Sequence, residues 1–459
     1  MAQTAGERIT APAKSERVST AATPVNTHRQ VWTLAWPIIL ANVTVPLLGA
    51  VDTAVVGHLP EPYYIGAVAI GAMLFNYLYH LFNCLRMGTT GPTAQARGAG
   101  EHAEVRAMIA RALLLAGVIG GAIVALQLPI VGFAFWVINA SAEVERYARE
   151  YFLIRVWSMP AVLATYAIFG WFYGLRNVKL PLVIQVFVNV VNIVLAMLFV
   201  FVFDWGVPGV AAASLIAEYA GLLLGAHGVW RTLRELPREN ASGRPTKLLD
   251  PVQLKRMVAI NSDIVLRTIC VVSVLGFFMA KSAELGDVQL AANQVLHHFL
   301  IFTSFALDGV AHAAETILGE SVGRRDRTAF LHDRRIVFLW AGVLALINMA
   351  IYAVAGHAMI ALMTSIPEVR AAAASYLWWP VLMPLASVWA YTYDGVYLAA
   401  TRTRIMRNTM IASFMIFLLL LHTLLPLIGN AGLWIAVMGF LTGRGVLLHL
   451  YFPRVLRTL

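Results

Sequence analysis

Apolar residues in this chain come in long unbroken runs separated by short polar connections. Runs such as Val183–Phe203 and Ile411–Ile428 show no alternation of period two, which excludes a transmembrane β-barrel. A spanning helix needs roughly 20 apolar residues. Twelve windows meet that need, near 31–58, 63–88, 106–130, 148–172, 178–203, 206–230, 256–281, 287–312, 334–358, 371–398, 406–428 and 430–451. The pattern predicts an all-α integral membrane protein of twelve transmembrane helices.

The polar intervals divide these helices into halves. Residues 231–255 form the longest polar run after the amino-terminal tail and contain Pro237, Gly243 and Pro245. On either side, matched residues recur at a nearly constant offset. Gly88 and Gly309, Gly98 and Gly319, and Gly174 and Gly395 each stand 221 positions apart, while Pro160 and Pro384 stand 224 apart and Glu143-Val144 and Glu368-Val369 stand 225 apart. Gly206-Val-Pro-Gly209 is echoed by Gly429-Asn-Ala-Gly432. The organisation that follows is a disordered tail (1–30), an amino-terminal six-helix lobe (31–230), a linker (231–255) and a carboxyl-terminal six-helix lobe (256–459). Parallel repeats of this kind predict two pseudo-symmetric bundles around a central cavity, with alternating access by rocking one against the other.

Composition agrees. Of the 459 residues 59% are apolar and 13% charged, against about 25% charged in soluble domains. The formal charge of +10 does not indicate nucleic acid, because Lys and Arg concentrate at alternate connections. Arg97, Arg106, Arg176, Lys179, the 231–256 stretch, the 324–335 stretch, Arg402, Arg404, Arg407, Arg454 and Arg457 all fall on one side, while 58–64, 204–208 and 429–431 are nearly bare of them. The positive-inside rule makes the basic side cytoplasmic. The expectation is a multi-pass protein of the bacterial inner membrane, both termini cytoplasmic, with membrane lipids as surroundings and no nucleic-acid partner. The first 28 residues have no apolar core of a signal peptide before Val31. Cys84 and Cys270 lie in separate spans and read as packing residues, with neither metal nor disulfide framework.

Ionisable groups inside a span are costly, so each is a functional candidate. Asp52, in Gly49-Ala-Val-Asp-Thr-Ala-Val-Val-Gly-His58 of the first helix, suits proton uptake or cation binding, against the plainer reading of a residue capping the helix end. Pro37 and Pro46 share that helix; a proline there removes a backbone bond and offers a bend. Asn189 and Asn192 lie on one face of the fifth span, with Ser214 of the sixth as a partner; helix–helix bonding is the competing reading. In the second half Asn293, Gln294, His297, His298, Asp308, His312 and Glu315 follow one span. His297, His312 and Glu315 suggest a proton relay, and Asp308 and Glu315 read as gate or loop contacts near its inner end. Asp263 and Arg267 stand four apart and invite mutual neutralisation. Glu218, Arg155 and Asp394 receive no role.

Several stretches together resemble the multidrug and toxic compound extrusion transporters, with the DNA-damage-inducible F branch the nearest likeness. They are Pro46-Leu-Leu-Gly-Ala-Val-Asp52 and its continuation to Leu59, Gly88-Thr-Thr-Gly-Pro-Thr-Ala-Gln95, Phe172-Tyr-Gly-Leu-Arg-Asn177, Asn189-Val-Val-Asn192 and Asp308-Gly-Val-Ala-His-Ala-Ala-Glu315. The resemblance implies a secondary antiporter, not an enzyme, working as a monomer and exporting cationic or amphipathic compounds against proton or sodium entry. It makes Asp52 the coupling carboxylate, Pro37 the bend, and Asn189, Asn192 and Ser214 the polar network around them. Archaeal relatives carry a second aspartate at the position held here by Ala196. Its loss favours the proton over sodium, since hard cations want several oxygen ligands. A lipid-linked oligosaccharide flippase of the same superfamily fits less well, because such relatives often have fourteen spans and a cationic cavity. An intramembrane enzyme built on His297 or His298 with Asp308 has no zinc or nucleophile motif in support.

The charge asymmetry generates a first prediction. Reporter fusions after Leu459 and near Ala241 both give cytoplasmic signals; a periplasmic signal from either overturns the two-half topology.

Overall fold

The computed structural model describes residues 27–56, 61–138, 140–237 and 247–457, leaving out the side chains at 43–54, 56 and 62. The described residues form helices and connections, and the helices group into twelve crossings. The amino-terminal lobe contains Thr27–Val56, Tyr63–Gly98, His102–Ala125, Ala142–Gly174, Lys179–Val202 and Gly206–Glu235. The carboxyl-terminal lobe contains Pro251–Glu284, Asp287–Gly323, Arg327–Met363, the bent pair Pro367–Tyr376 and Trp378–Ala399, Thr403–Ile428 and Asn430–Leu456. These are the first to twelfth spans in chain order. Large apolar side chains cover the outer faces with nothing against them, as at Val354 (87% exposed) and Leu362 (90%). A surface of that kind belongs in lipid.

The expected tail falls almost entirely, and residues 238–246 of the linker wholly, outside the described residues. The helices overrun the apolar windows. The eighth continues from the expected end near 312 to Gly323, about three further turns. The second continues to Gly98. These extensions are polar in sequence and still helical because they are buried against each other, where backbone groups must be satisfied within the helix.

The repeat read from the glycines is present in space. A Cβ on Gly88 would lie 2.9 Å from Asn261 of the seventh span, and one on Gly309 would lie 2.4 Å from Ile39 of the first. Gly174 presses the fourth span onto Thr93 of the second, as Gly395 presses the tenth onto Ala311 of the eighth. The connections repeat too. Gly100 (φ 71°) and Arg325 (φ 55°) turn the chain after the second and eighth spans, and Arg176 (φ 62°) and Thr401 (φ 53°) do so after the fourth and tenth. Both pairs stand 225 positions apart. The fourth span is interrupted by a 3-10 turn at Val156–Ser158 and the tenth bends by 42° beside Leu377.

The lobes meet at the basic end with backbone against backbone. An added Cβ would lie 2.3 Å from the Leu398 carbonyl oxygen at Gly91, 2.2 Å from that of Glu320 at Gly98, and 2.0 Å from that of Gln95 at Gly323. Helices in lipid associate through such close packing, since apolar burial gives little drive there. Gly98→Val therefore costs about 1–3 kcal/mol of stability by overpacking. Gly117→Val, at a position with nothing within 4 Å, stays within about 0.5 kcal/mol. Denaturant or thermal unfolding of the detergent-solubilised pair measures the difference.

Candidate functional site

In the amino-terminal lobe the fifth and sixth spans bring the predicted polar residues together. Asn192 Nδ2 donates to Ser214 Oγ at 2.8 Å, and the Asn192 carbonyl oxygen is buried with no partner among the described residues. Asn189, one turn earlier, accepts from Gln185 Nε2 at 3.2 Å. Ala196 is fully buried in a cluster with Phe199 and Ala213. Asp52 lies one turn before the end of a helix that runs unbroken through Pro37 to Val56; its side chain, like that of Pro46, lies outside the described residues. The first span packs along the fifth, which places the Asp52 helix beside the asparagine pair.

Sequence reasoning left Glu218 and Arg155 without a role, and the structure puts both in this lobe. Glu218 follows Ser214 by one turn of the sixth span and shares its surroundings with Arg155, Tyr79 and Tyr166. Arg155 donates to the Tyr151 hydroxyl and lies 5.0 Å from the centre of the Phe75 ring. The spacing of Glu218 from Ser214 was available in the sequence; its neighbours, from the second and fourth spans, were not.

Between the lobes, the eighth span supplies the charged contacts. His312 Nδ1 lies 3.0 Å from Glu315 Oε1 and 3.2 Å from a guanidinium nitrogen of Arg86 on the second span. The His312 ring stacks on Tyr173 of the fourth at 6.2 Å between centres. Thr316 Oγ1 donates to the Tyr173 carbonyl at 3.0 Å. Farther along, Glu320 pairs with Arg176 at 2.8 Å, Arg97 at 3.8 Å and Arg324. Asp333 accepts from Thr27 Oγ1 at 2.9 Å. Burial, with Arg97 and Arg324 nearby, lowers the Arg176 guanidinium to about 10, so it stays charged near neutrality.

Three sequence readings of the carboxyl-terminal lobe need correction. Asp263 and Arg267 do not neutralise each other: Asp263 accepts from Arg407 at 2.7 Å and from Thr403 at 2.9 Å, while Arg267 and Arg444 both pair with Asp394. Asp308 is not at a helix end, because the eighth span continues to Gly323; it neighbours Arg267, Tyr391 and Arg444. His297 does not join the relay. It lies roughly 20 Å up the helix from His312 at 1.5 Å per residue, and neither ring nitrogen has a hydrogen-bond partner among the described residues. Asn293 is tied to Ser282, Asn430 and Trp434, and so bonds helices together.

Comparison with known proteins agrees with this arrangement. The MatE family model matches residues 37–198 and 264–424, one segment in each lobe. DNA damage-inducible protein F of Escherichia coli (strain K12) is 39% identical over 429 residues, 94% of this chain and 93% of that protein. A probable multidrug resistance protein NorM of Neisseria meningitidis is 26% identical, covering 76% of each chain. Among solved structures, the Vibrio cholerae MATE transporter VcmN in its bent form superposes with a TM-score of 0.81 at 20% identity, covering 94% of this chain and 97% of that one. An outward-facing MATE family transporter of the MOP superfamily gives 0.79 at 17%, covering 94% and 96%. Two matched lobes and a full-length relative at this identity leave one assignment: the chain belongs to the MatE family of multidrug transporters and is a multi-pass membrane carrier rather than an enzyme.

Proposed function

We propose that this chain is a monomeric secondary antiporter of the inner membrane, exporting cationic or amphipathic organic compounds in exchange for protons by alternating access. The observation that carries the reading is the difference between the lobes. Asp394 and Asp263 of the carboxyl-terminal lobe are matched to arginines. The amino-terminal lobe instead offers Asn192, whose carbonyl has no partner among the described residues, with Ser214 and Glu218 on the span next to it. A cation or a proton finds oxygen acceptors grouped there, with Arg155 near Glu218. Ala196 removes one carboxylate from that group, which weakens a sodium cage more than a proton site. With the basic end cytoplasmic, both termini face the cytoplasm. The closed contacts through Gly91, Gly98 and Glu320 then describe a carrier sealed on the cytoplasmic side.

On this reading Asp52 binds either a proton or the positive charge of the substrate. Protonation removes the carboxylate charge, so cation binding weakens as pH falls through its pKa and strengthens above it. Asp52→Asn abolishes dye efflux from inverted vesicles and flattens the pH dependence of dye binding between about pH 5 and about pH 9. Retention of the wild-type pH dependence by this variant moves coupling to another acid, with Glu218→Gln the next variant to measure.

Sealing by Glu320 gives a separate expectation. Glu320→Gln weakens the hold on Arg97 and Arg176 and shifts the population toward a cytoplasm-open state. Ala94 is fully buried at this contact. In a background with Cys84 and Cys270 replaced by alanine, an Ala94→Cys probe in inverted vesicles reacts several-fold faster with an impermeant maleimide once Glu320→Gln is added. Equal rates reject Glu320 as part of the seal.

A further inference from the structure

A cavity in the carboxyl-terminal lobe takes no part in the transport scheme. It opens at the basic end and encloses about 540 Å³ between the start of the seventh span, the connection leading into the eleventh, and the end of the twelfth. Arg256, Arg402, Arg404 and Arg454 line it. The wall also contains the carboxylate of Asp263, but that group is already satisfied by Arg407 at 2.7 Å and Thr403 at 2.9 Å. Arg256 donates to the Thr401 hydroxyl at 3.0 Å, and Arg454 lies 4.6 Å from the centre of the Tyr451 ring. Neither contact cancels a charge. Among the described residues no carboxylate pairs with any of the four lining arginines. The eleventh span also begins at this wall, and the residue preceding it, Arg402, provides no side-chain cap. The Ile405 N–H is taken by the Arg402 carbonyl at 3.2 Å, which leaves those of Thr403 and Arg404 to face an anion.

We infer that this cavity binds the phosphate of an anionic phospholipid headgroup from the leaflet at the basic end. Guanidinium groups match phosphate oxygens in pairs of parallel hydrogen bonds, and basic pockets between spans at this depth suit such headgroups. The adjoining surface favours a lipid over a free phosphate. Two turns along the eleventh span from Arg404 and Asn408 come Ile411 and Met415, 42% and 58% exposed, and on the seventh span Leu266, 44% exposed, follows Ala259 and Asp263. These helix faces carry an apolar track from the charged cavity toward the bilayer core, as an acyl chain requires. The inference is independent of the transport cycle, since none of these residues belongs to the amino-terminal polar group or to the lobe contact.

The test uses full-length protein stripped of lipid in an uncharged detergent. It is titrated with dioleoyl-phosphatidylglycerol or dioleoyl-phosphatidylcholine, and bound lipids are counted by native mass spectrometry. Arg402→Ala combined with Arg404→Ala weakens the tightest phosphatidylglycerol binding by about tenfold or more and leaves phosphatidylcholine unaffected. Arg457→Ala, outside the cavity, changes neither. Arg402→Lys with Arg404→Lys keeps the charge and stays within about threefold of the wild type. Equal phosphatidylglycerol binding by the wild type and the alanine pair overturns the proposal. So does loss in the lysine pair equal to that in the alanine pair, because the fold and not the charge is then being read. Displacement of the lipid by inorganic phosphate at tens of millimolar assigns the cavity to a soluble anion and overturns the lipid source.

Discussion

Helices in lipid gain little by hiding apolar surface from one another, so two lobes can be held together only by close backbone contact and by polar groups. Both devices here run along one face of the eighth span. Gly309, His312, Glu315, Thr316, Gly319, Glu320 and Gly323 follow helical spacing and meet the first, second and fourth spans. The glycines let the backbones touch, and the touching adds Arg97 and Arg176 to the Arg324 that already pairs with Glu320, and sets Arg86 against His312, the partner of Glu315. Neither part stands alone: a bulkier residue at Gly98 separates the charges, and loss of Glu320 leaves the arginines crowded together. The polar stretch after residue 312 is helical for the same reason.

The two lobes share a backbone plan and differ in chemistry. Counting from the repeats, Asn189 and Asn192 correspond to Phe414 and Phe417, and Ser214 to Val437. Phe417 and Val437 are buried in the apolar core of the carboxyl-terminal lobe, and Phe414 packs against it. At the lobe contact Gly91 corresponds to His312, so a glycine seated on the Leu398 carbonyl answers a ring stacked on Tyr173. Duplication thus supplies two equal frames, and substitution places amides and a hydroxyl in one where the other has apolar core. The other keeps its ionised residues as matched pairs, which costs less in a low-dielectric interior than leaving either partner alone.

The spans, their number and the duplication were legible because each depends on local composition or on spacing along one chain. The basic side was legible because charge accumulates in short connections. The polar pair Asn192 and Ser214 could be named from helical spacing and from resemblance. Ion pairing could not. Asp263 and Arg267 looked like partners at four residues' separation, yet Asp394, 127 positions away from Arg267, takes that arginine. Helical spacing puts two residues on one face without saying which neighbouring helix that face meets, and the crossings of the seventh, tenth and twelfth spans decide it. Helix ends were misjudged for a related reason: an apolar window measures contact with lipid, and a helix buried in protein continues beyond it.

The first span ties the proposed proton site to the seal. Its inner part is anchored to the carboxyl-terminal lobe by Thr27 on Asp333, by Trp32 against Trp340 at 5.1 Å between ring centres, and by Ala35 and Ile39 against Gly309. Beyond these contacts the same helix packs along the fifth span of its own lobe and carries Asp52. Pro37 lies within the anchored part, between Ala35 and Ile39. A bend there, driven by a change of charge at Asp52, cannot leave Ile39 seated on Gly309 while the outer helix moves. The strain falls on the glycine contact of the eighth span, three residues before His312, which meets Arg86. Under the proposed function, protonation at Asp52 is thereby felt at the interface through one helix that belongs to both contacts.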